Sequence, residues 1–193
     1  MASLKTIDKT RLTAFAQELI RTPSLSSQEA EVAALVAQEM REVGFDEVTI
    51  DRMGNVIGRL GPHEGKKLLY DGHMDTVDVG TLTSWKRDPY GGIIEGGVLY
   101  GRGASDMKGA LAAMVYAGKA IVESGIRLAG DLYVVGIVDE EPCEGAALQH
   151  LIEEHGLRPD RVLLGEATNL QLARGQRGRI EFRIDIRGRS CHS

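Results

Sequence analysis

The chain has 193 residues, 42% hydrophobic and 26% charged, which is enough to bury a real core in one large domain or in one domain and part of another. Its formal net charge of −5 comes without a basic stripe, which argues against nucleic acid as a partner. No apolar run approaches the roughly 18 residues that cross a bilayer, so no membrane span is expected; "MASLKTIDKTRL" lacks an apolar signal core. Cys143 and Cys191 form neither a disulfide framework nor a CxxC pair, and a cytoplasmic location fits best.

From Asp8 to Arg21, Leu12, Phe15, Leu19 and Ile20 recur at helical spacing until Thr22-Pro23 disfavours continuation. "SSQE" sets Ser26 and Glu29 in the pattern of a capping box, and predicts a second helix with the face Val32, Leu35, Val36, Met40 and Val43 before Gly44. Glu47 to Leu60 reads as a hairpin turning at "MGN", and Lys67 to Asp71 as the next strand. A second hairpin spans Ile93 to Tyr100 with its turn at Gly96-Gly97, and small residues fill a helix from Met107 to Ser124. "DLYVVGIVD", Asp131 to Asp139, is the most apolar run and predicts a central strand. A helix over Glu144 to His155 and a strand over Arg161 to Leu164 follow.

Strands alternating with helices indicate an α/β fold, a layered sheet with flanking helices, over residues 1–173. From Arg174 the character changes: in "RIEFRIDIRGR", Ile180, Phe182, Ile184 and Ile186 alternate with charge. That predicts an antiparallel strand with one wet face, opening a different unit over residues 174–193.

Polar groups cluster after each predicted strand. His73 and Asp75 follow one, Glu140 and Glu141 another, and Glu166 a third, while Asp106 in "GRGASDMKG" precedes a helix. So many acids at one sheet edge repel one another, and a bound cation is the simplest compensation. Oxygen and imidazole without thiolate suit zinc, and also manganese or cobalt. The carboxylates outnumber the positions on one four-coordinate ion, which favours two ions. Simpler readings stand beside this one: Asp75 as a turn former, Asp106 as a helix cap, and Glu140-Glu141 as a solvated acidic loop. His63, His150 and His155 are read as solvated.

In this order and spacing, "YDGHMDTV", "GRGASDMKGALAAM", "DEEPCEG" and "GEATN" resemble the dinuclear zinc deacylases and exopeptidases, a family that includes acetylornithine deacetylase, succinyl-diaminopimelate desuccinylase, aminoacylase and carboxypeptidase G. "DEEPCEG" and "GQRGRIEFRIDIRGRSCHS" are similar to a branch of hydrolases linked to selenium metabolism. The resemblance implies metal-dependent hydrolysis of an amide bond in an N-acyl amino acid or a small peptide-like substrate. It implies two divalent metal ions: His73 and Glu166 on the first, Asp106 bridging, Glu141 on the second. Asp75 would orient His73 through the other imidazole N–H, and Glu140 would be the general base. His192, in "GRSCHS", would reach a dimer partner's site and stabilise an oxyanion, the homodimer forming through a lid domain that starts near residue 174. It also implies a cis peptide bond between Asp106 and Met107.

Relatives continue through the lid and return to supply a final histidine for the second ion. The chain is therefore expected to be an N-terminal fragment with an exposed apolar C-terminal stripe, one competent metal position and little amidase activity. The competing reading is a catalytically silent metal-binding or interaction protein that retains the fold. Phosphoryl chemistry and nucleotide binding are disfavoured, because no "GxxxxGK[ST]" loop or dinucleotide fingerprint is present.

Overall fold

A computed structural model describes residues 4–142, 145–175, 178, 180 and 182–188. Helix α1, Lys9–Arg21, is capped by the Asp8 carboxylate, which accepts the Arg11 N–H at 3.0 Å. It buries Phe15, Ala16, Leu19 and Ile20 and ends where Pro23 forbids another turn. Helix α2, Ala30–Glu42, starts at Glu29, but no side chain caps it. The expected capping box does not form, because its members are engaged elsewhere: the Ser26 hydroxyl donates to Asp75 at 2.7 Å, and the Glu29 carboxylate accepts the Asp139 N–H at 2.9 Å.

The antiparallel hairpin β1, Glu47–Ile50, and β2, Val56–Leu60, forms as read. Strand β3, Lys67–His73, runs two residues past the expected Asp71, since its parallel partner β6, Asp131–Ile137, continues the ladder to the pair His73–Ile137. Between them lie the small hairpin β4, Ile93–Glu95, and β5, Val98–Tyr100, and the helix α3, Gly109–Ser124. Helix α4, Ala146–Glu154, and strand β7, Arg161–Leu164, complete the set, and the main sheet has the order β1-β2-β6-β3-β7.

Strand β6 is central, as its apolar run predicted, and buries both faces by the two-residue alternation of a strand. Leu132, Val134 and then Val138 join α1, α2 and α3 in one core, whereas Val135 and Ile137 pack with Ala147 and Leu151 of α4 in a second. The result is a sheet between helical layers. Among the described residues no helix is long and apolar enough to cross a membrane.

Two further expectations need correction. Helix α3 begins at Gly109 rather than Met107, because Ala104–Lys108 forms a wider turn in which Asp106 and Met107 leave helical angles, and the bond between them is cis as expected. The strand expected from Gly178 onward is absent among the described residues, where Ile180, Phe182, Ile184 and Ile186 are 78%, 80%, 80% and 87% exposed. Alternation selects two faces, but a strand also needs a neighbouring ladder, and the described residues offer this segment none.

Candidate metal centre

The three parallel strands β3, β6 and β7 end at one edge, and their register decides what meets there. His73 lies opposite Ile137, which places Glu140 and Glu141 just beyond the end of β6. Asp71 lies opposite Leu164, so Glu166, two residues on, comes level with His73. Asp106 arrives from the turn before α3. These residues and Asp71 line an open cleft of about 600 Å³ with Leu148 and Met107 on its walls. The convergence expected of His73, Asp106, Glu140, Glu141 and Glu166 is thus present, with Asp75 directly behind them.

Glycine makes the approach close enough. A Cβ on Gly72 in β3 or on Gly165 just after β7 would come within 2.8 Å or 2.6 Å of the Met107 methyl, so the absence of one at both positions lets the Met107 side chain of the turn that carries Asp106 lie close against the backbone there. Lys108 secures that turn from the other side. Its buried ammonium donates to the carbonyls of Leu19 and Thr22 at 2.9 and 2.8 Å, and burial pulls its pKa down to about 8 although Asp75 acts the other way.

His73 is buried, and its Nδ1 lies 2.8 Å from the Asp75 carbonyl. A carbonyl only accepts, so Nδ1 carries the proton. Nε2 is left facing Asp106 Oδ1 at 2.9 Å and Glu166 Oε1 at 3.8 Å. In a neutral ring that nitrogen presents a lone pair, and a lone pair aimed at two carboxylates requires a positive charge between them, either a proton or a metal ion. Burial opposes charge on His73, but the Asp75 and Asp106 carboxylates outweigh it and push the imidazole up to about 10. The ligand atoms of His73, Asp106 and Glu166 all lie within 4.8 Å of one another, and imidazole with two carboxylates is a donor set that zinc accepts. The residues fit a divalent ion.

Asp75 is fully buried and organises the cleft. Its carboxylate accepts the Ser26 hydroxyl at 2.7 Å and the backbone N–H groups of Glu140 and Glu141 at 3.1 and 3.2 Å. Its contact with His73 is closest through its carbonyl; the carboxylate stands 3.5 Å from Nδ1, an ionic neighbour rather than a hydrogen-bond partner. Burial works against its charge, and the contacts from His73, Ser26, Glu141 and Glu140 still hold its pKa below the usual carboxylate range.

The remaining acids are shifted the other way. Burial raises Glu140, with Glu166, Glu141 and Asp75 adding repulsion that His73 partly offsets. It likewise raises Glu166, beside Asp106 and Glu141. Asp71 is pushed up to about 7 by burial and by Glu140, and its Oδ1 has no hydrogen-bond partner among the described residues. From sequence Ser26 was read only as a helix cap, and Asp71 and Lys108 were given no role in the site. The hydroxyl and ammonium act through contacts 49 and 89 residues away, which no local pattern reveals. Asp71 had a usable signal, since it shares a strand face with His73. His192 lies outside the described residues. A second cleft of about 400 Å³, between Gly44 and Leu128, carries only Asp46 and Arg127 as charged lining and lacks clustered ligands.

Residues 69–186 match the model of Peptidase family M20/M25/M40. Protein YgeY of Escherichia coli K12 is 45% identical over 181 residues, covering 94% of this chain and 45% of that protein. A succinyl-diaminopimelate desuccinylase of Methylocella silvestris is 35% identical over 192 residues, 91% of this chain and 49% of its own. The chain therefore spans about half the length of the curated relatives it matches. Among solved structures, the M20 family metallo-carboxypeptidase Sso-CP2 of Sulfolobus solfataricus superposes with a TM-score of 0.70 at 26% identity, over 80% of this chain and 37% of that one.

Proposed function

The chain belongs to Peptidase family M20/M25/M40, and on that premise we propose that it carries the metal-binding cleft of a hydrolase that cleaves an amide bond in an N-acyl amino acid or small peptide. The observation that carries this reading is the meeting of His73 Nε2 with Asp106 and Glu166 at the mouth of the cleft. These three residues hold one divalent ion, zinc by donor type with manganese or cobalt as substitutes. Asp106, shared with that ion, and Glu141, which lines the same cleft, would hold a second one. A bound ion supplies Lewis acidity, polarising the scissile carbonyl and making water more acidic.

The chain's own residues do the rest. Glu140 takes the proton of the attacking water and returns it to the leaving amine, and its raised pKa suits a group that must both accept and give at neutral pH. Asp75 fixes the backbone of Glu140 and Glu141 so that adjacent carboxylates reach different tasks. Leu148 and Leu164 give the cleft an apolar wall against which a substrate side chain can rest. The division into a metal-binding unit over residues 1–173 and the start of a lid over 174–193 is part of this proposal, as are the homodimer and the oxyanion role of His192. Its support is the exposed stripe Ile180, Phe182, Ile184 and Ile186.

The test is to assay a protein carrying this chain intact against N-acyl amino acids, dipeptides and phosphate monoesters. Amide cleavage that is lost on chelation and recovered with Zn2+ supports the reading. Phosphate release without amide cleavage contradicts it.

A further inference from the structure

Asp51, His150 and His155 form a second cluster with metal-ligand chemistry, and none of the three lines the cleft. Asp51 closes the β1–β2 turn with its side chain fully buried, and its Oδ1 accepts the N–H groups of Met53, Gly54 and Asn55, each at 2.9 Å. Oδ2 accepts the Asn55 side-chain amide at 2.8 Å, which leaves that oxygen one lone pair. His150 on α4 and His155 at its C-terminal cap both point Nε2 at this oxygen, each 3.6 Å away. Contrary to the sequence reading, His150 is not solvated: its side chain is 11% exposed, and its Nε2 is buried with no hydrogen-bond partner among the described residues.

A separation of 3.6 Å is too long for a hydrogen bond, so a shared proton does not bridge these atoms. It does match two ligands of one ion, since atoms bound at about 2.0–2.1 Å around a tetrahedral centre stand about 3.4 Å apart. From this geometry we infer that Asp51, His150 and His155 bind a zinc-type divalent ion, separate from those of the cleft. Two imidazoles and one carboxylate are a usual zinc set, and the carboxylate is already oriented by hydrogen bonds as a good ligand requires. His155 is 39% exposed, which opens the fourth position to water and gives the ion a way in. Nearby charge is balanced, because Arg52 pairs with Glu154 at 2.9 Å.

The ion would clamp the end of α4 to the β1–β2 turn. Asn55 extends the clamp, its amide holding Asp51 while its Oδ1 accepts the Val138 N–H at 3.0 Å, just ahead of Glu140 and Glu141. The role is structural, and it holds whether or not the proposed reaction is correct.

The test counts zinc on the 193-residue chain by mass spectrometry after equilibrium dialysis, comparing the unaltered chain with His155→Gln. The half-exposed His155 can be replaced without opening the core, and far-UV circular dichroism checks the fold. We expect His155→Gln to lose one ion per chain and the increase in Tm that this ion brings, with His150→Gln behaving alike. A chain bearing both His73→Ala and Asp106→Ala should keep the ion, and Co2+ in its place should give visible absorption that disappears on adding His155→Gln. An unchanged zinc count in His155→Gln, or no zinc on the His73→Ala/Asp106→Ala chain, overturns the inference.

Discussion

The cluster His73, Asp106 and Glu166 and the cluster Asp51, His150 and His155 use the same kinds of ligand atom, yet their surroundings differ. In the first, one buried imidazole faces two carboxylates that are 59% and 45% exposed at the edge of an open cleft, with further acids crowded around them. In the second, a single carboxylate is buried and accepts three backbone N–H groups and an amide before any ion arrives. Uncompensated negative charge beside solvent makes a centre that can take up a ligand and do chemistry. Compensated charge inside a turn makes a brace. On the two proposals above, the same residue types would acquire different tasks from the donors the backbone does or does not offer.

Four changes would break or sharpen that contrast. The largest effect is expected from Glu140→Gln in a protein carrying this chain: turnover should fall about 10²–10⁴-fold, the usual contribution of a general base, while the zinc count at both clusters stays the same. Equal turnover in the variant would remove Glu140 from the reaction. His73→Ala should weaken zinc at the cleft by more than about 100-fold, since even groups that only orient a ligand cost about 10–100-fold. Calorimetric titration on a His155→Gln background isolates that ion, and unchanged affinity would mean that the cleft binds it elsewhere.

Asp75→Asn tests the support behind the cleft. Asn at this position keeps the volume but loses the charge that accepts from Ser26, Glu140 and Glu141, so affinity should fall about 10–100-fold without change at Asp51. The smallest effect is on pH dependence. In the metal-free chain His73 is raised from 6.5 to about 10, so its contribution to stability is fully present below about pH 6.5 and lost as pH rises through 10. Asp71, raised from 3.8 to about 7, acts in the same direction over a lower window: its contribution is complete below about pH 3.8 and lost through 7. The Tm of the chelator-treated chain should therefore decline from pH 7 to 10, and His73→Gln should flatten that decline. A flat profile in the unaltered chain would contradict the charge balance described for the cleft.

Much of this was readable in the sequence for physical reasons that also mark its limits. Strand β6 announced itself because a strand buried on both faces must be apolar throughout, and Glu140, Glu141 and Glu166 stood out because each follows a strand of one parallel set. Ser26 misled because its spacing to Glu29 fits a local cap, whereas the buried Asp75 is the stronger acceptor in the folded chain. Lys108 was passed over since an ammonium is rarely buried, and here two carbonyls at the end of α1 make that possible. His150 was read as solvated because its partner Asp51 lies about a hundred residues away and not on its own helix, whereas the same reading of His155 agrees with its 39% exposure. The alternation of Ile180 to Ile186 described a surface that could pair, but carried no information about what it would pair with.

The central claim is that a divalent ion takes the place of the proton between His73 and its carboxylates. Anomalous diffraction at the zinc edge from crystals of the zinc-loaded chain tests it most directly. The account predicts a peak bound by His73 Nε2, Asp106 and Glu166 at about 2.0–2.2 Å, distinct from any peak at Asp51. Zinc-saturated crystals with no peak in the cleft, and His73 still hydrogen-bonded to Asp106, would contradict it.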